Sequence, residues 1–281
     1  MDRQRETVAL TDPYAGVADT RQPLGTSRPY PLSPAAAASA TAAAGRGDGR
    51  TGAAPAEAGG VPDYLRDTYT WAYLSRFGTR FFDKPWVVSA ILWGNARRLI
   101  RTVAAEMQPG WRVLQPACVY GDFSLRLADA VGPDGQLDVC DIAPIQVALT
   151  RRKLAGVRHA SVRREDAAVP GKGPYDAVTC FFLLHEVPED YKRAIVNNML
   201  AAVHDDGPVI FVDYHRPAGW HPLKPIMAVV FNRLEPFARA LWTREVRDYA
   251  DAADDWTWDK RTLFGGLYQV VIARRRSTGA P

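Results

Sequence analysis

A Rossmann-like α/β fold, its mostly parallel sheet closed by an antiparallel C-terminal hairpin, is what this sequence predicts, and three observations carry the prediction. From Gln108 onward short apolar segments alternate with helical ones, the pattern of a parallel sheet covered on both faces. Val113-Leu114-Gln115-Pro116-Ala117-Cys118-Val119-Tyr120-Gly121-Asp122 reads as a strand turning into a helix, in the manner of a nucleotide-binding turn. Leu137-Asp138-Val139-Cys140-Asp141 reads as a second strand, ending in an acid twenty positions after Gly121. In a βαβ unit such an acid accepts hydrogen bonds from ribose hydroxyls.

In chain order, residues 1–60 are rich in Ala, Gly and Pro and cannot bury enough apolar surface to offset ordering entropy, so a disordered tail is expected. Residues 61–107 form an expected aromatic helical cap: one helix capped by Asp63 and carrying Trp71, a second starting at Lys84-Pro85-Trp86 and running to about Met107. Trp71, Trp86 and Trp93 are read either as core or as a cover that shields a large apolar ligand from water. Residues 108–281 form the main domain. Its helices are expected near 122–131, 144–154 and 188–203, and its further strands at Ala160 to Arg164, Tyr175 to Phe182 and Pro208 to Tyr214. Thr257 to Arg274 reads as two strands meeting around Phe264-Gly265-Gly266. The insertion at about 222–248 is far short of the ~20 apolar residues that span a bilayer. With Lys224, Arg233, Arg239, Arg244 and Trp242 it reads either as an amphipathic helix on a membrane surface or as a helix packed on the domain.

Composition narrows the function classes. A net charge of +4, scattered basic residues and the lack of a recognised module argue against nucleic-acid binding. Cys118, Cys140 and Cys180 fall in or beside predicted strands without metal-like spacing and read as buried small hydrophobes. Residues 1–60 hold no continuous apolar run suited to a secretory signal, so export is not supported; with the membrane-surface reading of the insertion, a cytoplasmic protein held peripherally at the inner membrane is expected.

The order and spacing of these pieces resemble the class I S-adenosylmethionine (SAM)-dependent methyltransferases over about Gln108 to Arg275. Gln115 stands where that family has an acid, Ala117 and Val119 stand where it has glycines, and Gly121 keeps the last glycine. Asp141 matches the ribose-binding acid and Asp166 the adenine-side acid. The resemblance thus implies SAM contacts at Gln115, Ala117, Gly121, Asp141, Ile142, Asp166 and Ala167. A backbone without those glycines must avoid positive φ at Ala117 and Val119. A narrower resemblance rests on Val113-Leu114-Gln115-Pro116, Phe182-Leu183-Leu184-His185-Glu186-Val187-Pro188, Phe211-Val212-Asp213-Tyr214-His215 and Leu263-Phe264-Gly265-Gly266-Leu267-Tyr268-Gln269. These segments look like the rhodoquinone-biosynthesis proteins. That resemblance implies replacement of a ring methoxy group of ubiquinone by an amino group, with SAM as amino donor and a divalent metal, manganese.

Three chemical readings follow. An acid at position 115 would favour the charged form of the α-ammonium group of SAM, and Gln115 removes it. A free α-amino group titrates at about 7.7 to 8.0, so more of it stays neutral and nucleophilic. His185, Asp213 and His215 lie at the ends of adjacent predicted strands and form a candidate metal set. His185 and Tyr214 are candidate general acids toward a leaving group. Glu186 reads either as part of that rim or as a solvent-facing side chain. The rival functions are a conventional methyltransferase acting on a quinone or other lipid and a non-catalytic SAM- or lipid-binding module. An NAD-dependent dehydrogenase is ranked last, because the required glycines are missing.

Overall fold

The structure is a computed structural model that describes residues 83–169 and 173–276. The expected tail and the helix carrying Trp71 lie outside these residues. Two short helices come first, α1 (Pro85–Ile91) and α2 (Ala96–Ala104). Pro85 starts α1, where a missing N–H costs nothing. The single helix expected from Lys84 to Met107 is broken because Trp93 (φ 50°) and Gly94 (φ 79°) turn left-handed, with the Gly94 N–H closing on Ser89 O at 2.7 Å. Trp86 and Trp93 are 63% and 42% exposed, which corrects their reading as core.

The main domain then alternates strand and helix: β1 (Arg112–Gln115), α3 (Phe123–Val131), β2 (Gln136–Asp141), α4 (Pro144–Lys153), β3 (Ala160–Arg164), β4 (Ala177–Phe181), α5 (Glu189–Ala202) and β5 (Pro208–Tyr214). An insertion follows, with α6 (Lys224–Arg233) and single 3₁₀ turns at Ala238–Trp242 and Val246–Tyr249. The hairpin β6 (Trp256–Leu263) and β7 (Tyr268–Arg275) completes the fold. The seven strands are ordered β3-β2-β1-β4-β5-β7-β6. The first five pair in parallel, β7 runs antiparallel to β5, and β6 runs antiparallel to β7.

Alternation along the strands sends neighbouring side chains to opposite layers. Val113, Val139, Ala177 and Ile210 pack with Leu99 and Val103 of α2 and Phe123 and Leu127 of α3. Leu114, Cys140, Val178 and Phe211 pack with Tyr191, Ile195 and Met199 of α5. All three cysteines are buried and unpaired. Phe123 stacks on Phe181 with ring centroids 4.1 Å apart, joining α3 to the central strand; truncating so buried a ring costs about 3–5 kcal/mol. Strand order reverses between β1 and β4, so the loops leaving their C-terminal ends diverge and open a crevice there.

Candidate active site

A cleft of about 370 Å³ occupies that crevice, within the size range of small-molecule sites. Its walls are the turn after β1 (Pro116 to Tyr120), the segments after β2 (Asp141 to Ala143) and β3 (Asp166, Ala167), the loop after β4 (Phe182, Leu183, His185 to Val187) and Tyr214 at the end of β5. Val88, Ile91 and Leu92 on the α1 side, with Val230, Leu234 and Glu235 on the α6 side, flank it. Four carboxylates line the cleft, Asp141, Asp166, Glu186 and Glu235, against the His185 imidazole; among the described residues no lysine or arginine does so.

The β1 turn holds its shape without the usual glycines. Neither Ala117 nor Val119 takes a positive φ, as the resemblance required, while Gly121 does (φ 81°). A Cβ on Gly121 would also lie 3.3 Å from Val88 Cγ2. Gln115 Nε2 donates to Ala117 O at 2.7 Å, and Asp141 Oδ2 accepts from the Cys118 N–H at 2.9 Å. Asp141 Oδ1 accepts from the Ala143 N–H at 2.8 Å, so this one carboxylate joins the turn to the start of α4. Burial, outweighing these donors, raises the Asp141 pKa to about 6 and also raises that of Asp166, which accepts from the Ala168 N–H. The outer face of the turn is fixed by Lys153, which donates to Asp83 at 2.6 Å and to Val119 O at 3.2 Å, while Gly121 N–H donates to the same Asp83 oxygen.

Beyond β4 and β5 the wall is built from side chains. Asp213, almost fully buried, accepts from the backbone N–H groups of Tyr214 (2.7 Å) and His185 (3.2 Å). Its Oδ1 lies 2.9 Å from His185 Nδ1, an ion-pair contact off the axis of a hydrogen bond. Burial alone would lower the His185 pKa; the Asp213 carboxylate, with Glu235 and Glu186 farther off, raises it instead to about 9. Phe182 takes a left-handed φ of 53°, a strained state for a bulky residue. Its ring lies edge-on to those of His185, Tyr214 and Tyr268. Burial keeps the Tyr214 phenol protonated, with its pKa well above the usual value.

The structure gathers His185, Tyr214, Ala117, Asp141, Ile142, Asp166 and Ala167 on the cleft wall, with Asp213 directly behind His185. Glu186 also faces the cleft, which corrects its solvent-facing reading. Gln115 and Gly121 shape the turn from behind. His215 is not brought to the others: its ring nitrogens meet Gly266 O and Lys260 Nζ, both at 2.9 Å. The expected His185–Asp213–His215 metal set is therefore not assembled, and no group of three or more such side chains is placed for a metal among the described residues. SAM fits the residues better. The acidic lining suits a sulfonium cation.

Sequence reasoning missed three contributors. Glu235 reaches the cleft only because the insertion folds back over β5. Lys192 is fully buried and donates to Val187 O (2.6 Å), Phe237 O (3.0 Å) and Glu189 (3.0 Å), tying the β4 loop to that insertion. Asp83 anchors the β1 turn from before α1. None carries a local sequence signature, since each acts across distant segments.

Comparison with known proteins agrees with this geometry. Residues 113–207 match the sequence model of a methyltransferase domain. A demethylmenaquinone methyltransferase of Bacillus cytotoxicus is 24% identical over 170 residues, which cover 59% of this chain and 68% of that one. A ubiquinone/menaquinone biosynthesis C-methyltransferase of Ectopseudomonas mendocina is 25% identical over 181 residues, 60% of this chain and 68% of that one. Among solved structures, an O-methyltransferase family protein from Burkholderia thailandensis superposes with a TM-score of 0.58 at 14% identity, covering 77% of this chain and 67% of that one. The chain has the Rossmann-like class I methyltransferase fold.

Proposed function

We propose that this methyltransferase-fold chain is a SAM-dependent transferase acting on a quinone ring, and that it converts ubiquinone to rhodoquinone by replacing a ring methoxy group with the amino group of SAM. One observation carries the choice of chemistry: the acceptor half of the cleft presents an acid. His185, held cationic by Asp213, can donate a hydrogen bond to a quinone carbonyl and protonate a departing methoxide. Methylation of a hydroquinone carbon would call instead for a base that removes a phenolic proton. Asp141 and Asp166 would hold the nucleoside, and neutral Gln115 would leave the amine uncharged for attack.

SAM supplies the nitrogen. As the nitrogen–ring bond forms, His185 stabilises the charge developing on the carbonyl oxygen; the ring carbon–oxygen bond then breaks and the methoxy group leaves as methanol with a proton from the imidazolium. The proton lost by the attacking amine returns to His185. The bond from that nitrogen to the donor's α-carbon would finally break by elimination: a cleft carboxylate, Glu186 or Glu235, takes a proton from the donor's β-carbon, a carbon–carbon double bond forms in the donor, and the nitrogen keeps the electron pair of the broken bond and takes up a proton to become the primary ring amine. Phe182, Tyr214 and Val230 offer apolar walls to the ring, and the exposed Ile226, Val229 and Leu234 at α6 fit a peripheral site at the inner membrane where an isoprenoid tail could enter. No step is assigned to manganese, because the described donors do not converge.

The second reading, methyl transfer to a quinone, is favoured by the names of the relatives. The two are separated by incubating purified protein with ubiquinone and SAM labelled with nitrogen-15 at its amino group, with and without manganese, and analysing the quinones by mass spectrometry. Labelled rhodoquinone supports amino transfer; a methylated quinone with S-adenosylhomocysteine replaces it by the second reading.

A further inference from the structure

The face formed by the α1–α2 corner has no role in the chemistry above. Trp93 stands there on a left-handed backbone and is 42% exposed, and Trp86 is 63% exposed on the preceding helix. A bulky apolar residue held in that strained state and left part-exposed is costly on both counts. Arg97, Arg98 and Arg101 follow within one arc of α2, opposite its buried face of Leu99, Ile100 and Val103. They line an open groove with Arg261, and none of the three pairs with a carboxylate among the described residues. The one acid of that groove, Glu106, is already engaged by Arg274 at 3.0 Å.

Interfacial tryptophan beside unpaired arginines is the combination that anionic headgroups select: the indole sits at headgroup depth and guanidinium forks bind phosphate oxygens. The face is continuous with the cleft, because Ile91, 44% exposed on α1, also lines its mouth. We propose that Trp93 with Arg97, Arg98 and Arg101 docks on an anionic bilayer surface and seats the mouth of the cleft at the headgroups. The inference rests on the proposed function for the lipid nature of the substrate and for a site at the membrane, and its test reads binding rather than turnover.

The full chain is co-sedimented with vesicles of phosphatidylcholine alone and of phosphatidylcholine mixed with phosphatidylglycerol, at low and high salt. Binding is expected only to the mixed vesicles and to weaken with salt. The double variant Arg97→Glu/Arg101→Glu is expected to bind at least about thirtyfold more weakly. Trp93→Asn, which tolerates the left-handed backbone, is expected to lose severalfold. Arg151→Glu/Arg158→Glu, the same charge change on another face, is expected to stay within about twofold of the parent, and melting curves confirm that each variant folds. Equal binding to both vesicle types, or undiminished binding by Arg97→Glu/Arg101→Glu, overturns the proposal. So does a dimer that this variant dissociates in the absence of vesicle binding, which assigns the face to a second copy of the chain.

Discussion

At the ends of β1, β2 and β3 the cleft is walled by carboxylates whose oxygens are held by backbone N–H groups, whereas at the ends of β4 and β5 the carboxylate behind the wall, Asp213, meets a side chain, the His185 imidazole, as well as two backbone N–H groups. Asp141 takes its two donors from Cys118 and Ala143, and burial lifts its pKa only to about 6. Asp213 instead shares its charge with the His185 imidazole and holds it cationic to about pH 9. The first half is suited to gripping a ligand and the second to moving a proton. Substitutions in the two halves should therefore fail in different ways.

The largest effect is expected at His185. His185→Gln should lower kcat by about 10²–10⁴-fold while SAM affinity, measured by calorimetry, stays within a few-fold of the parent. If SAM binding collapses as well, the division between the halves is wrong. Asp141→Asn should do the reverse. An amide nitrogen there faces the Cys118 or Ala143 N–H, and the loss of a buried charge-assisted bond should weaken SAM binding by about 10–100-fold with kcat at saturating SAM little changed.

The pH dependence should separate the halves again. Turnover is expected to fall about tenfold per unit above the His185 pKa of about 9, and SAM affinity to weaken below the Asp141 pKa of about 6, where its carboxylate protonates. The stability linkage has its own sign. The folded pKa of His185 lies above the free value of about 6.5, so its contribution is full below that value and is lost as pH rises through about 9. Chemical denaturation across this window should show the decline, and it should disappear in His185→Gln. The smallest effect is expected at Gln115→Glu: the added carboxylate raises the amine pKa and should slow amino transfer about tenfold at neutral pH, with partial recovery as pH rises toward 9. Amino transfer that is unchanged at neutral pH would remove Gln115 from the account.

The half of the cleft at the ends of β1, β2 and β3 was legible because it depends on spacing along the chain. The turn after β1, the acid at position 141 and the acid at position 166 follow from βαβ geometry, and the backbone that avoids positive φ at Ala117 and Val119 follows from their side chains. The acceptor half was legible only in part. His185, Tyr214 and Asp213 were placed on the right rim by strand order, yet His215, one residue past β5, turns to Gly266 and Lys260 because the β6–β7 turn folds beside it. Glu235 and Lys192 depend on how the insertion packs, which no local pattern encodes. The break at Trp93 and Gly94 was missed because the apolar periodicity around it continues while the backbone does not.

The central claim is that Asp213 keeps His185 charged through neutral pH, and imidazole titration by NMR reads this directly. In protein labelled with nitrogen-15 at its five histidines, the resonance missing from His185→Gln identifies this ring. The account expects a midpoint of about 9, falling toward about 6.5 in Asp213→Asn. A midpoint at or below about 6.5 in the parent protein would contradict it, since the acceptor half would then present a neutral base where this reading requires an acid.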